Sequence, residues 1–125
     1  MKRYFLFMRD DGVDFGQLDH VEREALVQRF TQWTDALRDA GRLRGVGRLE
    51  AGGRVVRRTA PSHEDPGWSL VRPSEPCVEP SAPLAVGLHV IEASDDDEAT
   101  ELALACPIVA LGGSVEVREV RGALR

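Results

Sequence analysis

Cysteine, histidine and aromatic residues are scarce in this chain: of 125 residues two are cysteine, three histidine and 6% aromatic. Cys77 and Cys106 form no CxxC, which excludes a disulfide scaffold or a zinc ribbon and fits a reducing cytoplasm. His20, His63 and His89 lack the short spacings that set two ligands on one helix face, so neither a metal nor any other cofactor is expected. No apolar run approaches the ~20 residues of a membrane span. Met1-Lys2-Arg3-Tyr4 leads into a strand-length segment rather than a signal peptide. Positive charge is not in surplus: sixteen basic against twenty-one acidic residues leave a net charge of −5. Such a chain gains nothing from phosphate counterion release, so nucleic acid is not an expected partner. There is no GK[ST] for a P-loop and no GxSxG nucleophile elbow. Gly45-x-Gly47 lacks the third glycine of a dinucleotide fingerprint, since Glu50 stands there and no helix pattern follows.

What remains is a globular composition, 42% hydrophobic and 30% charged, in a length that suits one domain over 1–125 with a core that needs no staples. Arg3 to Met8 is apolar on both alternating sets, Tyr4/Leu6/Met8 and Phe5/Phe7. That predicts a central strand covered on both faces, or covered on one and facing a partner on the other. Asp10-Asp11-Gly12 ends it with turn chemistry. Leu26, Phe30, Trp33 and Leu37 form a stripe at the 3.6-residue period within a helix from Leu18 to Ala40. Asp19 is the expected N-cap, Glu22 completes a capping box and Gly41 is a natural C′ glycine. Arg42 to Glu50 alternates as a strand with Leu43, Gly45, Gly47 and Leu49 on one side; Ala51-Gly52-Gly53 then predicts a hairpin with Arg54–Arg58 as the return strand.

Six of the seven prolines lie between Pro61 and Pro83, which predicts a long loop excursion with one edge strand at Trp68–Arg72. Val86 to Ala93 is a strand. Ser94 is the expected N-cap of a second helix with Asp97 at the capping-box position; Ala99, Leu102, Ala103 and Cys106 are its stripe and Pro107 its end. Gly112-Gly113 turns into a last strand, Ser114–Val120. The order β-α-β-(β)-loop-β-α-β predicts an α+β, ferredoxin-like split βαβ sandwich.

The opening Lys2-Arg3-Tyr4-Phe5-Leu6-Phe7-Met8 resembles the first strand of the YCII-related (DGPF-type) family. Gly87-Leu88-His89-Val90-Ile91-Glu92-Ala93, Asp97-Glu98-Ala99, Cys106-Pro107 and Gly112-Gly113-Ser114-Val115-Glu116-Val117-Arg118 are similar to that family's C-terminal half in order and spacing. The resemblance implies a dimeric α+β barrel-type assembly in which the sheets of two chains face each other. It also exposes departures. The Asp-Gly-Pro-Phe signature, usually followed by a Glu, corresponds here to Ser74-Glu75-Pro76-Cys77-Val78-Glu79, where Pro76 and Glu79 alone match. The YCII-like branch resembles an acid–base design with a His on the first helix and an Asp before the proline after the second helix. Those positions fall here at Phe30 and Cys106, and neither side chain transfers a proton in that way.

Candidate site residues emerge from chemistry and position. His89 lies on a strand and is the best single candidate for a general base or ligand contact; the plainer alternative is a histidine hydrogen-bonded within a wall. Glu79, Arg118 and the loop residue Trp68 complete a candidate pocket. His63-Glu64-Asp65 reads as a solvated loop triplet, and Asp95-Asp96-Asp97-Glu98 as helix capping rather than a cation site. The neighbouring carboxylates of Glu75 and Glu79 disfavour a Cys77 thiolate; Cys106 and Trp33 read as core. Arg42, Arg44, Arg48, Arg54, Arg57 and Arg58 form one basic hairpin face. The leading expectation is a cytoplasmic homodimer that serves as a non-catalytic small-molecule-binding or regulatory scaffold. One alternative is a small enzyme using His89, Arg118 and Glu79, which requires those side chains to converge. A second is an interaction module working through the basic hairpin 42–58.

Overall fold

The computed structural model describes residues 1–11, 13, 15–49, 55–58, 68–71 and 85–122, with backbone alone at 55–58, 68–71, 85 and 86. In chain order the elements are β1 (Lys2–Arg9), a 3-10 turn (Phe15–Gln17), α1 (His20–Asp39), β2 (Leu43–Arg48), β3 (Val55–Arg58), β4 (Trp68–Val71), β5 (Ala85–Ala93), α2 (Asp96–Leu104), α3 (Pro107–Ala110) and β6 (Ser114–Glu119). Strands β2, β5, β1 and β6 form one antiparallel sheet in that order; β3 and β4 pair only with each other. Counting the four sheet strands along the chain gives the order 2-3-1-4, an α+β arrangement compatible with the ferredoxin-like fold.

The apolar first strand takes the central position its composition demands, between β5 and β6. Tyr4, Leu6 and Met8 are buried against the helices together with Ile91 and Ala93 of β5. From α1 come Trp33 and Leu37, with Phe30 packed beside them; α2 contributes Ala99 and Ala103, and the turn into α3 adds Cys106 and Ile108. The alanines let helix and sheet backbones approach closely, and the Trp33 indole ties α1 to α2 by donating from Nε1 to the Leu102 carbonyl at 3.1 Å. The helix ends are built from local chemistry. Asp19 caps α1 with Glu22 in a complete capping box, and Gly41 leaves the helix at φ +72°. At Gly113 space is the constraint, since a Cβ there would sit 2.5 Å from the Arg9 carbonyl oxygen and from Ile108 Cγ1.

Three expectations need correction. The N-cap of α2 is Asp95, not Ser94: Ser94 is engaged by Glu98, its N–H and hydroxyl donating to that carboxylate, while Asp95 accepts from the Glu98 N–H at 2.8 Å. The predicted hairpin between β2 and Val55–Arg58 does not form: β2 pairs with β5 on one side as an edge strand, and β3 pairs with β4 instead. Pairing with β5 lets Leu43 pack on the core, and Val55–Arg58 finds its partner in Trp68–Val71. Finally, the register of β2 shifts between Leu43, opposite Ile91, and Gly45, opposite Val90. This bulge puts Leu43 and the two glycines on opposite faces, which strict alternation does not foresee. The Ala51-Gly52-Gly53 turn and Arg54 lie outside the described residues.

Candidate functional site

Apart from the bulge in β2, period-two alternation divides the strands of the main sheet between a helix-covered face and an open one. On the helix-covered face, Leu6 is flanked by His89 on one side and Val117 on the other, with Val46 beyond His89. His89 is buried; its ring lies 4.7 Å from that of Trp33, and its Nε2 shares a 3.0 Å hydrogen bond with Thr34 Oγ1. The Nδ1 atom has no partner of good hydrogen-bond geometry. Burial holds the imidazole below its ordinary pKa, opposed in part by the nearby Leu88 backbone, so the neutral ring is favoured. Tyr4, on the same face, donates its hydroxyl to Asp96 Oδ1 at 2.7 Å. Burial together with that carboxylate pushes the phenol up to about 12.

On the open face the strands present rows of side chains. Arg44, Glu92 and Arg3 make the first: the Glu92 carboxylate receives Arg44 Nη2 at 2.9 Å and Arg3 Nε at 3.4 Å. The next row is Gly45, Val90, Phe5 and Arg118, and the third Gly47, Leu88, Phe7 and Glu116. Glu116 is shared by Arg9 and Arg118, each at 2.9 Å. The Arg44 guanidinium, helped by Arg3, holds the Glu92 carboxyl below the usual carboxylate range, and Arg118 with Arg9 does the same for Glu116. Phe5 and Phe7 meet edge to face, 5.8 Å apart at 85°.

His89 and Arg118 therefore lie on opposite faces, and one chain does not bring them together. Glu79 lies outside the described residues; Trp68 opens β4, but its side chain is likewise outside them, as are Cys77 and His63-Glu64-Asp65. The basic face expected from 42–58 is divided: Arg42 is bound to Glu98 at 2.6 Å, Arg44 to Glu92, and β2 and β3 belong to different sheets. Phe30 packs against the core, and Cys106 is a buried free thiol that burial pushes up to about 11, against a weaker opposing hydrogen bond from the Ile108 backbone. Among the described residues no group of His, Cys, Asp and Glu is placed to hold a metal ion. No helix among them is long and apolar enough to cross a membrane.

Sequence reasoning passed over Arg3, Arg9, Arg44, Glu92 and Glu116 as a set, and Thr34 as the partner of His89. The signal for β1 was present, since Arg3, Phe5, Phe7 and Arg9 share one parity. Their partners depend on inter-strand register, which no single strand encodes. A family model described as a YCII-related domain matches residues 3–122, nearly the whole chain. Comparison with curated proteins finds no match. With that extent matched and the strands and helices in the order described above, the chain belongs to the YCII-related domain family.

Proposed function

We propose that this protein is a small-molecule-binding scaffold, working as a homodimer of ferredoxin-like subunits whose sheets face each other, and that it does not perform the acid–base chemistry expected of the YCII-like branch. The observation that carries this reading is the pair of residues at the two acid–base positions. Phe30 is an apolar side chain packed on the core, and Cys106 is a fully buried thiol with its pKa raised to about 11. Neither accepts or releases a proton at neutral pH, so the proton relay has no members here. The dimer is supported by the open face of the sheet. Phe5, Phe7, Leu88 and Val90 form an apolar strip there, and no helix of the chain lies over it among the described residues. The enzyme reading loses support from the separation of His89 and Arg118, because a shared reacting group needs both within hydrogen-bond reach. His89 is better read as a packing and hydrogen-bonding group of the helix side, while Arg118 stays with the ligand-binding face.

A thermal-shift screen against metabolites, with solution mass measured alongside, tests this reading. A ligand at one hundred times its Kd adds about 2.7 kcal/mol, several degrees for a domain of this size. The expected result is a dimer with at least one stabilising ligand that is not turned over. Turnover of a ligand, or a monomer that no metabolite stabilises, contradicts the proposal.

A further inference from the structure

The whole chain carries −5, yet its open sheet face carries the opposite sign. Among the described residues that face holds Arg3, Arg9, Arg44 and Arg118 against Glu92 and Glu116, a balance of four positive and two negative charges, or +2. Each carboxylate is shared by two guanidiniums through its two oxygens, so each triad retains one positive charge with no counterpart in it. A guanidinium has five N–H donors, and a single shared carboxylate occupies few of them.

The floor beside the first triad has an unusual shape. Gly45 and Gly47 flank Val90 and Leu88 on the edge strand β2. A Cβ on Gly47 would meet nothing within 4 Å, and one on Gly45 would touch only Val90. The β2 side of the face is thus a shelf without side chains. It is bounded inward by Phe5 and Phe7, and at one end by Arg44 and Arg3. A flat apolar body suits the shelf and the aromatic edge, and a planar oxyanion suits the free edges of the guanidiniums.

We propose that this trough binds an aromatic carboxylate, with the carboxylate on Arg44 and Arg3 and the ring lying over Gly45, Gly47, Leu88 and Val90 against Phe5 and Phe7. The inference rests on the scaffold reading above and names its ligand class and place. With a second copy across the same face, the trough becomes an enclosed cleft, in which the surplus charge of the Arg44–Glu92–Arg3 triad is matched by the ligand rather than left facing the partner.

The test uses isothermal titration of the full chain with three probes at matched ionic strength: 2-naphthoate, its uncharged isostere 2-naphthamide, and acetate, which has the charge without the ring. The expected result is saturable binding of 2-naphthoate, about tenfold or more tighter than either control, since the oxyanion contributes charge-assisted hydrogen bonds and the ring apolar contact. Arg44→Gln should remove most of the preference for naphthoate over naphthamide. Gly47→Val, which fills the shelf without touching the core, should weaken both ring-bearing probes alike. Arg48→Gln, on the other face of the same strand, should change neither. Equal affinity for naphthoate and naphthamide, or binding indifferent to both Arg44→Gln and Gly47→Val, overturns the proposal. If naphthoate fails while the metabolite screen yields a ligand, the trough assignment falls and the scaffold reading stands. If the screen is also empty, both fall.

Discussion

The two faces of the main sheet are made from the same strands, and both are apolar at the centre, yet among the described residues only one is closed by helices. Tyr4, Leu6, Ile91 and Ala93 on the helix side are at most 1% exposed. Their neighbours in sequence, Phe5, Val90 and Glu92, are half-buried on the other side. The closed face is filled by Trp33, Leu37, Ala99, Ala103 and Ile108, with His89 as its one buried polar residue among the described residues; the open face is bordered by two arginine–glutamate triads. An apolar set on a strand therefore says that something covers it, and the flanking residues say what kind of thing. Neutral, tightly filled surroundings mark the chain's own core, and on the reading proposed above the charged frame marks the surface that meets a second copy.

The largest expected effect breaks the closed face. Leu6→Ala should cost about 2–5 kcal/mol in urea unfolding, because it leaves a cavity in a packed core. Phe7→Ala on the open face should cost less in dilute protein, and its cost should grow with concentration as dimer contacts contribute. Equal losses for the two at low concentration would abolish the contrast between the faces. The glycines sharpen it next. Gly113→Ala should destabilise by about 1–3 kcal/mol, since its Cβ would press on the Arg9 carbonyl and Ile108. Gly47→Ala on the open shelf should be neutral or stabilising by about half a kcal/mol. A smaller effect, about 1 kcal/mol, is expected for Asp19→Ala, which removes the cap of the helix that closes the face.

The smallest is a pH dependence. Burial depresses the His89 pKa in the folded state, so above the ordinary histidine value of about 6.5 both states are neutral and the site is indifferent to pH. As pH falls below that value the unfolded chain takes up a proton that the folded chain refuses, and stability is lost until the depressed pKa is passed. The stability difference between wild type and His89→Gln should therefore shrink between pH 7.5 and 5. A constant difference would show that His89 titrates alike in both states.

Much of this was legible in the chain itself. The stripe Leu26/Phe30/Trp33/Leu37, the Asp19–Glu22 box and Gly41 announce α1 because helix signals are local. The doubly apolar β1 announces a central strand. The bulge at Arg44 was not legible, because it arises from pairing with β5 and alternation within β2 carries no trace of it. The same holds for the false hairpin: Ala51-Gly52-Gly53 is sound turn chemistry, but local turn chemistry does not reveal that Val55–Arg58 has a partner later in the chain, Trp68–Val71. For the candidate site, the residue types were visible and their company was not. His89 and Arg118 sit on strands whose registers with β1 decide that they face apart, and Arg44 joins Arg3 only through Glu92.

The claim that the open face meets a second copy of this chain is tested most directly by sedimentation equilibrium of the wild type beside Phe7→Glu. The account predicts twice 13.7 kDa for the wild type and 13.7 kDa for the variant, with unchanged helix content by circular dichroism. A wild type of 13.7 kDa at every concentration up to about 100 μM, or a Phe7→Glu variant that remains a dimer, would contradict it.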